Sequence, residues 1–325
     1  MAHTVYLRAD ASPDIGWGHV NRMCSLAALL PAEMNTVAVT NAAGAEVFHK
    51  SNCKNLPLLE VVPGDFAEEW QGILPEQAIL VLDGYHFDYQ YQQKAKEAGF
   101  KVVLIDDFGH GPFCADMVLN HAPSSRSLYH QTGIEYCCGI DFALLRPSFY
   151  QEAASYERAP NDVLVTLGGA DPLDLTFKIL AELLPLHPQL NWVAVCTDNF
   201  SKTHRTSLET FSAKHPQLQL LYNLGEKEMH LQMSKHLYAI VSASTVVLES
   251  WASGLFPAML CYTENQQLMF KGSTSMGYAF PLHREYLSSG FSAYLKTEGI
   301  TNMTRTGTWN PPDAVAKAFH DILNS

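Results

Sequence analysis

The sequence is short of cationic residues: 21 Lys and Arg stand against 33 Asp and Glu in 325 residues, a formal net charge of −12. A chain so biased offers no electrostatic attraction to nucleic acid or to an anionic membrane surface, and neither is expected as a partner. Long apolar runs are missing as well. No stretch approaches the roughly 18 apolar residues that a membrane-spanning helix needs. The opening MAHTVYLRAD is interrupted by His3, Arg8 and Asp10 and does not read as a secretory signal. Cysteine is sparse. The seven residues are odd in number, irregularly spaced and without a C-x-x-C pair, which argues against a disulfide framework and for a reduced, cytoplasmic setting.

Several motifs are absent too. There is no Walker A loop and no Gly-x-Ser-x-Gly elbow. His86, His110 and His121 lack the spacing of a zinc site. Asp106-Asp107 could take a divalent ion, although paired aspartates at a strand end are ordinary. No metal and no cofactor is expected.

What is present is an alternation of short apolar runs with helical patterns. Thr4–Leu7, Thr36–Thr40, Ile79–Leu82, Lys101–Ile105 and Met117–Leu119 read as strands, with helices over Val20–Leu30, Gly44–Lys50 and Tyr89–Ala98. The pattern restarts at Val163–Leu167, followed by a helix at Leu175–Leu184 and strands at Trp192–Cys196, Gln219–Tyr222, Ala239–Val241 and Ala258–Cys261. Such alternation predicts an α/β fold with parallel sheets in two Rossmann-like domains and a cleft between them. The domains are expected over residues 1–150 and 151–310, joined through Leu145–Asp162, and the amphipathic stretch Asp313–Leu323 supplies a terminal helix in 311–325.

Four segments could carry chemistry. Asp14-Ile15-Gly16-Trp17-Gly18-His19-Val20 joins the first strand to the first helix, where open α/β sheets place their ligands. Gly16 and Gly18 allow close backbone approach, and no third glycine completes a dinucleotide fingerprint at Arg22 or Met23. His19 could serve as a general base; the plain alternative is a helix-capping histidine in a tight turn. Gly168-Gly169-Ala170-Asp171 holds the same place in the second half and fits a phosphate-binding turn or a structural one. Ser242-Ala243-Ser244-Thr245 ends a strand and opens a helix. Ser244 or Thr245 is a good helix cap, or the helix start binds a diphosphate while Glu249 accepts ribose hydroxyls. Asn265 and Gln266 suit sugar hydroxyls, or are solvated loop residues.

Taken in order, these segments resemble one family. Arg8-Ala9-Asp10-Ala11-Ser12 with Ile15-Gly16-x-Gly18-His19-Val20-x-Arg22, Leu82-Asp83-x-Tyr85, Ile105-Asp106-Asp107, Ala143–Arg146 with Phe149, Leu167–Asp171, Ser242–Ser244, Glu249 and Asn265-Gln266 are similar to the UDP-2,4-diacetamido-2,4,6-trideoxy-β-L-altropyranose hydrolases of pseudaminic acid biosynthesis. The resemblance implies a GT-B fold, with UDP held mainly by the second domain, the sugar across the cleft and the last helix returning to the first domain. It implies metal-independent cleavage of the C1–O bond with inversion, water replacing an acceptor. Residue by residue, it makes His19 the base that activates water. Asp10, Ser12, Gly16, Gly18 and Arg22 would shape the pocket, and Tyr85 would face the sugar. Gly168, Gly169, Ser244 and Thr245 would contact the diphosphate, Glu249 the ribose, and Asn265 and Gln266 the sugar or phosphates. The pattern departs at Val247 and Leu248, where the family carries polar residues or Trp, so Leu248 is expected to bear on which sugar is accepted.

Two other readings compete. A GT-B glycosyltransferase would need an acceptor groove, whereas residues 31–78 are acidic towards their end (Glu60, Asp65, Glu68, Glu69, Glu76). A non-catalytic nucleotide-sugar binder would have no use for a base at His19. A monomer or weak homodimer is expected, with a UDP-sugar as the partner.

Overall fold

The computed structural model describes residues 3–12, 15–51, 53–73, 78–151, 157–169, 171–297 and 309–324. Asp14, Glu76 and Ala170, named above, lie outside them. The chain divides into two compact units, residues 1–146 with 310–325, and residues 147–309.

In unit 1 the strands are β1 (Thr4–Ala9), β2 (Asn35–Thr40), β3 (Leu58–Glu60), β4 (Ala78–Asp83), β5 (Lys101–Ile105), β6 (Met117–Asn120) and β7 (Glu135–Cys138). Among the described residues they form one parallel sheet in the order β3-β2-β1-β4-β5-β6-β7. Helices α1 (Gly18–Ala27), α2 (Ala42–Lys50), α3 (Phe66–Glu69) and α4 (Tyr89–Glu97) lie between the strands. A parallel sheet covered on both faces needs strands that are apolar throughout, and every residue of β4, Ala78-Ile79-Leu80-Val81-Leu82-Asp83, is buried. The order reverses between β1 and β4, the topological switch point at which ligands of such sheets bind.

Unit 2 repeats the plan. Its strands β8 (Ala159–Thr166), β9 (Asn191–Cys196), β10 (Leu218–Tyr222), β11 (His236–Ser242), β12 (Ala258–Leu260) and β13 (Phe280–Leu282) form a parallel sheet in the order β10-β9-β8-β11-β12-β13. Here the switch point falls between β8 and β11. Helices α5 (Leu175–Leu183), α6 (Lys202–Ser212), α7 (Glu226–Lys235), α8 (Thr245–Ala252), α9 (Gln267–Ser275) and α10 (Leu287–Tyr294) complete it. Trp192, fully buried, packs its ring 5.5 Å from that of Phe291 at the centre of this core. Burial of such side chains contributes about 1.5–3 kcal/mol each.

β8 begins inside the segment expected to be a linker. Pro160, which cannot donate to a ladder, is accommodated because pairing to β9 starts only at Asp162 and the register against β11 slips between His236 and Tyr238. α11 (Pro311–Asn324) belongs to unit 1 and buries Val315, Phe319 and Ile322. Prolines at its first two positions suit a helix start, where N–H groups have no intrahelical partner. Among the described residues no helix is long and apolar enough to cross a membrane.

Candidate functional site

At the unit 1 switch point, Ala9 of β1 pairs in register with Asp83 of β4, so Asp10 and Asp83 emerge at neighbouring strand ends. The loop after β1 is closed by its own backbone. The Gly16 N–H donates to the Ser12 carbonyl at 2.7 Å, and the Ile15 N–H to Ser12 Oγ at 3.0 Å. Gly16 adopts φ +83°, a conformation that favours glycine. Gly18 is different: a Cβ there would meet no protein atom within 4 Å, so packing does not demand glycine at the start of α1. The N-cap of α1 is Trp17, which makes no side-chain capping bond. His19 is therefore not the cap that a structural reading would make it.

His19 turns its imidazole to the end of β4. Its Nδ1 stands 2.7 Å from Asp83 Oδ1, and its side chain is 7% exposed. Arg22, one turn further along α1, donates from Nε to Asp83 Oδ2 at 2.7 Å and from Nη2 to Oδ1 at 2.6 Å. The same guanidinium bonds Asp107 through Nη1 at 2.6 Å and Nη2 at 3.0 Å. Tyr85 donates its hydroxyl to Asp107 at 3.0 Å and sets its ring edge-on to His19, with centroids 4.9 Å apart. Burial alone would raise the Asp83 carboxyl, but the charge and hydrogen bonds of Arg22, with those of His19, hold it far below the ordinary aspartate value. Asp83 is thus a carboxylate that can only accept. The His19 Nδ1 must carry the proton between them, so in the neutral ring the lone pair is on Nε2. Arg22 Nη2 also lies 3.4 Å from Nδ1, but its protons serve Asp83 and Asp107.

Asp107, weighed above as half of a cation site, is instead a partner of Arg22. Asp106 accepts from the Phe108 and Gly109 amides at 3.1 and 2.7 Å and from the Tyr129 hydroxyl at 2.6 Å. Among the described residues no group of three or more His, Cys, Asp and Glu side chains is arranged to hold a metal ion.

A second network surrounds Asp10, which is 1% exposed. Its Oδ1 accepts from Arg8 Nη1 at 2.6 Å and from the Asn41 amide at 2.9 Å, while His86 Nε2 stands 3.1 Å from Oδ2. Arg8, fully buried within β1, also donates from Nε to Glu69 Oε2 at 3.0 Å, and Glu69 accepts from the Tyr91 hydroxyl at 2.7 Å. Burial pushes the Asp10 carboxyl up, but His86, Arg8 and the Asn41 amide outweigh it and hold it at about 2. Glu69 and Asp65 are therefore not simply surface acidity: Glu69 neutralises Arg8, and Asp65 caps α3 and pairs with Lys94.

In unit 2 the Gly-Gly-x-Asp turn keeps glycine for a backbone reason at Gly168, whose φ is +92°. Thr197 Oγ1 donates to the Gly169 carbonyl. Asp171 occupies the start of α5, its carboxylate accepting from the Leu175 and Thr176 amides at 2.8 and 2.7 Å. That helix start is filled by the protein itself. The start of α8 is not: Ser244 is its N-cap by position but makes no capping bond, and its hydroxyl pairs with Ser242 Oγ at 2.8 Å. The simple capping role set out for Ser244 or Thr245 is not what this helix shows. Ser242 Oγ lies 3.9 Å from where a Gly168 Cβ would stand, so the β8 turn and the α8 start meet at the switch point of this sheet.

Glu249 is buried in α8, at 5% exposure. Asn265 is half-buried, and Gln266 is buried, with its Oε1 accepting from the Tyr262 amide at 3.0 Å. Gln266 thus shapes the loop after β12, and Tyr262 ties that loop to the Leu167 carbonyl at 3.0 Å. Leu248 is 1% exposed and belongs to the core, so it lines no open space.

No protein-family model matches the chain. Among curated proteins it is similar to the UDP-2,4-diacetamido-2,4,6-trideoxy-beta-L-altropyranose hydrolase of Campylobacter jejuni, 26% identical over 287 residues covering 84% of this chain and 97% of that one. It is likewise 26% identical to the spore coat polysaccharide biosynthesis protein SpsG of Bacillus subtilis, covering 84% of this chain and 82% of that one. Among solved structures it is similar to MurG of Acinetobacter baumannii, with TM-score 0.66, 14% identity and coverage of 98% of this chain and 99% of that one. The S. aureus MnaA–UDP co-structure gives TM-score 0.69 at 11% identity, covering 99% and 96%. The fold is GT-B, built from two Rossmann-like α/β units.

Proposed function

We propose that the protein is a UDP-sugar hydrolase that cleaves the C1–O bond of UDP-2,4-diacetamido-2,4,6-trideoxy-β-L-altropyranose with inversion, releasing UDP and the free sugar. The observation that carries this reading is the His19–Asp83 pair at the switch point of unit 1, 2.7 Å apart and backed by Arg22. Likeness to the Campylobacter jejuni hydrolase over most of both chains supports the substrate.

In this mechanism His19 Nε2 takes a proton from water as the water oxygen bonds to C1. The C1–O bond to the diphosphate breaks, and its electrons leave with UDP. Asp83 stabilises the imidazolium that forms, and solvent later removes the proton. Arg22 keeps Asp83 ionised, which fixes the tautomer. General-base assistance of this kind is worth roughly 10²–10⁴ in rate. Asp10, Ser12, Gly16, Gly18 and Tyr85 are the groups assigned to the sugar pocket. Unit 2 supplies groups suited to a nucleoside diphosphate: the uncapped start of α8 with Ser244 and Thr245, the Gly168-Gly169 turn, and Glu249, Asn265 and Gln266 for ribose, sugar or phosphate.

Hydrolysis in ¹⁸O-labelled water tests the bond cleaved. Label in the sugar at C1, with none in UDP, supports the proposal; label in UDP contradicts it. Turnover only when a sugar or lipid acceptor is added would favour the glycosyltransferase reading.

A further inference from the structure

His86 forms a second histidine–carboxylate pair at the same strand edge. Its side chain is 40% exposed, yet the ring is held on three sides. Nε2 stands 3.1 Å from the buried Asp10 carboxylate, and the ring packs on Phe87 with centroids 3.9 Å apart. Beneath it lies Gly84, where a Cβ would come within 2.9 Å of His86 Cε1 and 3.1 Å of Nδ1. Fixing a half-exposed side chain costs rotamer freedom, and here the Asp10 carboxylate, the Phe87 ring and the close backbone of Gly84, which also approaches Phe87, all restrict it. The next residue back, Tyr85, touches the ring of His19. The two pairs use opposite ring nitrogens. His19 Nδ1 is hydrogen-bonded to Asp83, whereas His86 Nε2 lies within ion-pair distance of Asp10 Oδ2, an oxygen that makes no hydrogen bond of good geometry. In the neutral ring with its proton turned to that carboxylate, Nδ1 of His86 is an acceptor.

We propose that His86 is a specificity-determining residue whose Nδ1 accepts a hydrogen bond from the sugar, from a hydroxyl or an acetamido N–H, while the Asp10 carboxylate beside Nε2 favours the tautomer with its proton there. The choice of a sugar ligand rests on the functional reading above. Asp10 is then a positioning residue that acts through His86. Base chemistry stays with His19, so His86 governs affinity for the sugar and leaves the chemical step largely alone.

Two variants and one spectrum test this. His86→Gln keeps an N–H for Asp10 but has no acceptor at the Nδ1 position, and Gly84→Ala keeps the histidine but displaces its ring. Both are expected to raise KM for the UDP-sugar about tenfold, the range of one lost hydrogen bond, with kcat within about threefold. In ¹⁵N-labelled His19→Ala protein, expected to bind the UDP-sugar and to hydrolyse it about 10²–10⁴ more slowly, the His86 Nδ1 resonance should shift on saturation. KM unchanged within twofold in folded His86→Gln protein, with an unmoved resonance, overturns the proposal. So does a collapse of kcat at constant KM, which would make His86 an acid or base. If the wild-type protein releases no sugar, the functional reading fails by itself. The His86 resonance with the same UDP-sugar then decides this inference alone: a shift upholds it and no shift overturns it.

Discussion

His19 and Asp83 are 64 residues apart in the chain, and their Nδ1 and Oδ1 atoms are 2.7 Å apart. The fold makes that contact: β1 and β4 are neighbours in register, and α1 starts beyond the end of β1. Arg22 binds both oxygens of Asp83, so orientation of the histidine and stability of the strand edge are linked through one carboxylate.

His19→Ala is expected to lower the hydrolysis rate by about 10²–10⁴ while UDP affinity by calorimetry stays within about twofold. Loss of UDP binding along with activity would assign His19 a structural role.

Asp83→Asn should damage both properties. It leaves the buried Arg22 short of a charge partner and allows an amide N–H to face Nδ1, favouring the wrong tautomer. A stability loss of about 3 kcal/mol in urea unfolding and a rate loss on the order of 10²–10⁴ are expected. A variant as stable and active as the parent would remove Asp83 from the mechanism.

Acid should destabilise unit 1 through Asp10. Its folded-state carboxyl is depressed to about 2 against an unfolded value of about 3.9, so its contribution is complete above the unfolded value. That contribution, about 3 kcal/mol, is lost as pH falls through the interval down to about 2. Asp10→Asn should flatten the fall of stability across that interval in denaturant titrations. An unchanged slope would mean that the carboxylate gains nothing from Arg8 and His86.

The two glycines of the His19 loop should respond oppositely. Gly16→Ala places a side chain at φ +83° and should cost about 1 kcal/mol or more in thermal unfolding. Gly18→Ala meets no protein atom within 4 Å and should leave stability unchanged. It should still raise KM, because the open space it fills is assigned to the substrate. Equal stability and equal KM would withdraw Gly18 from the site.

The central strands were legible because burial on both faces makes them continuous apolar runs, as in Ala78–Leu82. The strands missed, β3, β7 and β13, are three or four residues long, lie at sheet edges and include half-buried or exposed positions. Their apolar signal is diluted where one side has no neighbour. Within the site, His19 was legible from its place after a strand and two glycines. Asp83 was visible only as the end of a strand, since nothing local announces a partner 64 residues away. His86 carries no local signal beyond its lack of zinc-site spacing; its approach to Asp10 depends on the β1–β4 register. Asp107 could be a cation ligand or an ordinary strand-end aspartate by sequence, because Arg22, on a helix far back in the chain, gives no sign that it reaches it.

The most direct test of the account is proton NMR of the anomeric region while the protein acts on UDP-2,4-diacetamido-2,4,6-trideoxy-β-L-altropyranose. UDP and a single sugar anomer, of configuration opposite to the substrate, are expected to appear together before mutarotation mixes them. Release of the retained anomer, or a UDP-sugar that persists unchanged in water, would contradict that expectation.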